Sequence, residues 1–206
     1  MRSLKTLLTS FLFCCGVWVP IASGAEIALI IDDMGNTKQD ADAFLLPTQV
    51  AFSILPHKPL SQPFSARAAN EQREVMLHIP MESLAGKRLG PGALTADMHP
   101  VTIRQVLGDA LATVPHAIGV NNHMGSKLTQ LTLPMTATMD FLHANQLFFI
   151  DSRTARFSKA NRIALEKGVL SGKRNVFLDH FAEHKHIDLQ FKRLIRLAKK
   201  YDKAIG

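Results

Sequence analysis

The chain has 206 residues, 47% of them apolar, and carries 24 Lys and Arg against 17 Asp and Glu for a formal net charge of +7. That length suits one domain with a core large enough to need no disulfide or structural metal. Charged residues at 20%, scattered Gly and Pro, and no internal repeat of roughly 20–50 residues exclude a disordered chain, a collagen, a coiled coil and a solenoid.

Residues 1–25 read as a cleaved secretory signal peptide. Arg2 and Lys5 make a positive start, residues 7–21 are almost wholly apolar, and Ala22-Ser23-Gly24-Ala25 offers small residues for cleavage after Gly24 or Ala25. The apolar run, about 15 residues, is short of the roughly 20 that a spanning helix needs, and Pro20 interrupts its end. The expected destination is the bacterial periplasm, with no stable membrane anchor after cleavage. Both cysteines, Cys14 and Cys15, lie in this segment, so no cysteine nucleophile or thiolate ligand is expected in the mature chain. Cleavage leaves 22 basic against 17 acidic residues, or +5. The excess lies late, in Lys185, Lys192, Arg193, Arg196, Lys199, Lys200 and Lys203, opposite Leu189, Leu194, Ile195 and Leu197 at helical spacing. It reads as the solvated face of an amphipathic helix. Export and the scarcity of Trp and Tyr argue against nucleic acid as a partner.

From residue 26 onward the chain reads as a single domain in which two signals alternate. Short apolar runs rich in Ile, Val and Phe predict buried parallel strands at 27–31, 50–55, 74–79, 117–121, 147–150 and 176–178. Between and after them helices are predicted at 37–46, 61–72, 100–113, 134–145, 158–167 and 188–202. Repeated βα units make this an α/β protein, either a doubly wound sheet or a (β/α) barrel. The final Lys203-Ala204-Ile205-Gly206 reads as the opening of a further strand, and the natural frame is expected to continue beyond it.

The ionisable residues fall at the predicted strand ends. Asp32 and Asp33 follow the first strand and His57 the second; His78 closes the third, with Glu82 four residues on. His123 follows the fourth, Asp151 the fifth, and Asp179 with His180 the sixth. In parallel α/β folds these ends converge on one face, where active sites lie. Asp and His without Cys suit Zn2+ or a related hydrolytic ion, whose bound water has a pKa lowered towards ~7. Neither a G-x-S-x-G elbow nor a glycine-rich phosphate loop is present.

Five segments then stand out in order: Ile30-Ile31-Asp32-Asp33-Met34-Gly35, Phe52-Ser53-Ile54-Leu55-Pro56, Met76-Leu77-His78-Ile79-Pro80-Met81-Glu82, Gly119-Val120-Asn121-Asn122-His123-Met124-Gly125-Ser126, and Phe148-Phe149-Ile150-Asp151-Ser152-Arg153-Thr154. Over residues 26–206 the chain resembles the divergent polysaccharide deacetylase family, exported bacterial proteins related to NodB-type carbohydrate esterases. The resemblance implies a distorted (β/α) barrel, here lacking its C-terminal elements, that removes N- or O-acetyl groups from a glycan with a bound divalent metal. By that resemblance Asp32 is the general base and Asp33 a metal ligand. Related enzymes place two metal-binding histidines four residues apart, and here the second position is Glu82. The expected Zn2+ site is Asp33, His78 and His123, with Glu82 competing for the third place. Glu82, Asn122 and Asp151 are further pocket candidates, and a backbone N–H near Asn121 and Asn122 is the expected oxyanion donor. The proton donor in related enzymes is a histidine after the last strand, expected beyond Gly206; His180, His184 and His186 read as ordinary loop residues. The alternative function is a non-catalytic periplasmic glycan-binding protein. Loss of Trp18 with the signal peptide leaves few aromatic platforms for sugars.

Overall fold

The structure, a computed structural model, describes residues 24–206; the expected signal peptide lies outside these residues except for Gly24 and Ala25. The apolar runs form the parallel strands β1 (Glu26–Ala28), β2 (Ile30–Met34), β3 (Ala51–Ile54), β4 (Val75–Met81), β5 (Gly119–Met124) and β6 (Phe148–Asp151), followed by β7 (Ser171–Lys173) and β8 (Lys203–Ile205). A 3-10 helix at Lys38–Leu45 and the helices α1 (Ser61–Asn70), α2 (Pro100–Thr113), α3 (Thr132–Ala144), α4 (Ala160–Glu166) and α5 (His184–Tyr201) supply the crossovers. Pro100 opens α2, where its missing N–H leaves no bond unmade.

Strand order is strictly sequential, β2-β3-β4-β5-β6-β7, and every pair is parallel. A doubly wound sheet reverses its order at a switch point, whereas unbroken succession is the winding of a (β/α) barrel. The two faces of the sheet differ in chemistry. Phe52, Ile54, Val75, Leu77, Ile79, Met81, Val120 and Phe149 join the main core with Ile103, Leu107, Met135 and Met139 of the helices. The alternate positions Ser53, Met76, His78 and Asn121 are also buried but belong to the opposite face. Asn121 Nδ2 lies 2.8 Å from Asp32 Oδ1 although β5 and β2 are three places apart. A flat sheet would hold those strands about 14 Å apart, at ~4.8 Å per spacing. The sheet therefore curls, and this second face is the interior of the barrel.

The short strands β1 and β8 pair with each other and extend across the opening between β2 and β7. Ile205 O accepts the N–H groups of Asn175 and Val176, and Ile205 N–H donates to Asn175 Oδ1. On the other side Gly206 O accepts from Ile30 N–H. Among the described residues no ladder joins β7 directly to β2, and these hydrogen bonds are what links the two edges.

One predicted strand is displaced. Residues 176–178 are not a strand; the sixth strand of the sheet is β7, whose Ser171-Gly172-Lys173 carries no apolar signal. A Cβ on Gly172 would stand 2.9 Å from Ile205 Cδ1, so the end of the Ile205 side chain packs over this stretch of backbone. Val176 is instead buried in a second small core with Leu194, Ala198 and Ala204. Helix α5 begins at His184, and Leu189, expected on its buried side, is 55% exposed.

A buried cation holds the entry to β3. Arg73, 3% exposed, donates to the carbonyl oxygens of Pro47 (2.7 Å), Val50 (2.9 Å) and Leu46 (3.0 Å), and its guanidinium stacks 4.2 Å over Phe52. Arg73→Met strips these carbonyls of their donor, and an unfolding free energy lower by about 3 kcal/mol is expected in denaturant titration. A midpoint unchanged from wild type would contradict that accounting.

Candidate metal centre

Asp32 and Asp33 sit where the register between β2 and β3 shifts, between Ile31 and Met34. Asp33 has φ 61°, in the left-handed region that non-glycine residues adopt rarely and at a cost. On a regular strand neighbouring side chains diverge; this irregularity instead brings both carboxylates to one histidine. His78 lies between them, with Nδ1 3.7 Å from Asp32 Oδ1 and Nε2 3.2 Å from Asp33 Oδ1. Asp40 steadies the turn that follows, one oxygen accepting the N–H groups of Gly35, Asn36 and Thr37.

His123 completes the group from β5. Its Nδ1 is 2.7 Å from Asp33 Oδ1 and 3.2 Å from His78 Nε2. Asp33, His78 and His123 thus point one ligand atom each at a common point. His78 Nδ1 is 2.6 Å from Asn121 Oδ1, an acceptor, so Nδ1 carries the proton and Nε2 presents a lone pair. Three electron-pair donors facing one another, with at most one proton on His123 Nδ1 to share, form a poor hydrogen-bond network and a good cation site. Their spacing also suits it, since tetrahedral ligands about 2.0–2.1 Å from Zn2+ sit roughly 3.3 Å apart. The donor set therefore fits a divalent metal.

The electrostatics follow from the same contacts. Hydrogen bonds from His123 and then His78 hold the Asp33 carboxyl well below the usual carboxylate range. Burial pulls the His78 pKa down, but the charge of Asp32 and the hydrogen bond to Asp33 outweigh it and raise it above the ordinary histidine value. Both shifts belong to the site without a cation, where a proton on His78 Nε2 faces Asp33; a divalent ion would take the place of that proton.

This combination of winding and ligand cluster can be set beside known proteins. The model of the divergent polysaccharide deacetylases matches residues 29–206. The chain belongs to the divergent polysaccharide deacetylase family. An uncharacterized protein of Haemophilus influenzae is 36% identical over 183 residues, covering 88% of this chain and 65% of its relative. The uncharacterized protein YibQ of Escherichia coli K12 is 34% identical over 188 residues, covering 91% of this chain and 59% of that one. The chain thus spans about three-fifths of the length of these curated relatives. The crystal structure of the uncharacterized protein ATU2773 from Agrobacterium tumefaciens C58 superposes with a TM-score of 0.85 at 23% identity, over 92% of this chain and 78% of that one, and is a likeness of fold.

The other family positions read from the sequence take different places. Glu82 does not join the cluster: Oε1 is 2.5 Å from Lys127 Nζ and Oε2 accepts from Ala96 N–H at 2.7 Å, with Lys127 the main cause of its lowered pKa. It ties the 82–97 loop to the turn after β5. Glu82→Gln is expected to leave bound metal, read by elemental analysis, unchanged, at a cost in stability below about 1 kcal/mol for this partly exposed pair. Asn122 falls on the strand face opposite His123, donates to Met124 O and accepts from Ser152 N–H, and so braces two loops outside the pocket. Asp151 is fully buried but faces away with Phe149, accepting from Arg153 N–H and Ser158 Oγ. The backbone amides of Asn121 and Asn122 lie within the β4–β5–β6 ladders, where N–H groups point at neighbouring strands rather than into a pocket. His57 is exposed in a turn at φ 55°, and Asp179 and His180 are exposed beyond β7, ending no strand.

Sequence reasoning gave no role to the side chains of Ser53, Asn121 and Arg174. Ser53 is a lone hydroxyl in the apolar run of β3, and Asn121 stands two residues before His123, the spacing that places both on one strand face. Arg174 follows β7, donates to Ser152 O at 2.7 Å and stacks on Phe177; the charges of Asp32, Asp151 and Asp179 oppose the lowering of its pKa by burial. Among the described residues no helix is long and apolar enough to cross a membrane.

Proposed function

We propose that the protein is a periplasmic metal-dependent hydrolase that removes acetyl groups from an envelope or extracellular glycan. The observation that supports this reading most is a second carboxylate, Asp32, standing beside a complete ligand set without belonging to it. Asp33, His78 and His123 would hold the ion, and Zn2+ suits two imidazoles and a carboxylate. When bound, such an ion supplies Lewis-acid polarisation of the acetyl carbonyl and lowers the pKa of a water.

The residues of the chain do the rest. Asp32 Oδ1 receives the Asn121 amide, and its other oxygen has no protein donor among the described residues, so it is free to take the proton of an attacking water. The side chain is 38% exposed. Export rests on the pattern of residues 1–25, and the glycan on what the family is named for.

The test is acetate release from acetylated glycans by metal-loaded protein, with a chelated sample as control. Release that disappears on chelation and returns with Zn2+ is the expected result. Metal bound without release from any acetylated glycan would instead favour the alternative, a glycan-binding protein that keeps the barrel and the metal pocket.

A further inference from the structure

Four adjacent strands each contribute one polar group to a line across the barrel interior: Asp32 from β2, Ser53 from β3, His78 from β4 and Asn121 from β5. Asn121, 2% exposed, is the hub. Its Nδ2 is 2.8 Å from Asp32 Oδ1, and its Oδ1 is 2.5 Å from Ser53 Oγ and 2.6 Å from His78 Nδ1. The orientation of this amide follows from chemistry. An ionised carboxylate only accepts, so Asp32 must face the NH2 end. The carbonyl end is then turned to Ser53 and His78, and both must donate to it. A flipped amide would set its oxygen against the Asp32 carboxylate and leave two donors facing the Ser53 hydroxyl and His78 Nδ1.

We infer that Asn121 is a positioning residue that locks His78 in its Nδ1–H tautomer, presents the Nε2 lone pair to the metal centre, and at the same time aims Asp32. This deepens the proposed function and rests on that reading for its catalytic half. Metal-bound histidines commonly donate their second N–H to a fixed acceptor, and loss of such a partner costs roughly 10–100-fold in metal affinity. Here the acceptor is itself oriented by the general-base candidate, so one side chain couples the ligand to the base.

The experiment is long-range 1H–15N NMR of the metal-free protein labelled in histidine, at a pH above the point where the His78 ring signals cease to titrate, together with Zn2+ affinity by chelator competition. Wild type is expected to show His78 as the Nδ1–H tautomer. Asn121→Leu is expected to lose that preference and to weaken Zn2+ binding by roughly 10–100-fold. Asn121→Asp keeps an acceptor for His78 and Ser53 but sets a second carboxyl against Asp32, where the two share a proton and Asp32 is no longer a free base. It is expected to keep the tautomer and Zn2+ affinity near wild type while losing acetate release. An Nε2–H tautomer for His78 in wild type overturns the inference, whether or not the leucine variant folds. So does a folded Asn121→Leu that binds Zn2+ as wild type does. Should wild type bind Zn2+ yet release no acetate, the hydrolase reading fails while the tautomer and affinity results still decide the role of Asn121.

Discussion

Alanine in place of His78 or of His123 is expected to remove the metal, lowering Zn2+ affinity by more than the roughly 10–100-fold that loss of a mere supporting partner costs. Each removes one of three converging ligand atoms, and a site with two protein donors holds Zn2+ poorly. The two variants are expected to differ in stability. His78 is 2% exposed inside the barrel and hydrogen-bonded to Asn121, so its loss leaves a buried acceptor short of a donor. His123 is partly exposed at the rim, and its loss leaves mainly solvent. Affinity in the wild type is expected to rise with pH, because the ion must displace the proton from His78. The pKa of that group is raised above the ordinary histidine value by Asp32 and Asp33, so protonation competes with the ion beyond the pH at which a free imidazole is neutral, and the gain continues until the raised pKa is passed. Titration of Zn2+ binding across pH, with denaturant unfolding of both variants and wild type, checks all three statements. Full metal content in both variants would show that the cluster is not the site.

The second large effect concerns Asp32. Asp32→Asn is expected to leave metal content unchanged and to lower the rate of acetate release by about 10^2–10^4-fold, the usual contribution of a positioned general base. The substitution is nearly isosteric, and the new side-chain oxygen can still accept the Asn121 Nδ2 hydrogen bond, so the line through Ser53 and His78 is preserved. What is lost is the basic oxygen. Unchanged activity would remove Asp32 from the mechanism. Loss of metal would instead make it a structural support for His78.

Several of these residues were legible before any fold was known. Aspartate after the first apolar run, histidine at the ends of the third and fourth, and the Asn-Asn-His-Met-Gly-Ser block all stand at strand ends that a parallel α/β architecture brings to one face. Met124 and Gly125 explain part of why that block is so particular. Both have positive φ, and a Cβ on Gly125 would stand 3.0 Å from Met81 Cβ. The strands themselves were readable wherever they are buried on both sides, because such strands are continuous apolar runs. Strand β7 was not, since Ser171, Gly172 and Lys173 hold their place through backbone pairing, with the end of the Ile205 side chain packed over Gly172.

Sequence alone established a parallel α/β chain whose strand ends carry Asp and His, and the resemblance in its motifs named the family. Which of those groups meet was decided by tertiary structure. The curl of the sheet brings β2 against β5, the displaced register at Asp33 turns two neighbouring carboxylates onto one imidazole, and strand alternation admits Asn121 while turning Asn122 and Asp151 outward. The Lys127 ammonium, 45 residues away in the chain, claims Glu82. Strand position can be read from local hydrophobicity, but partnership among polar side chains depends on curvature, register and competing donors, which are set only when distant segments pack.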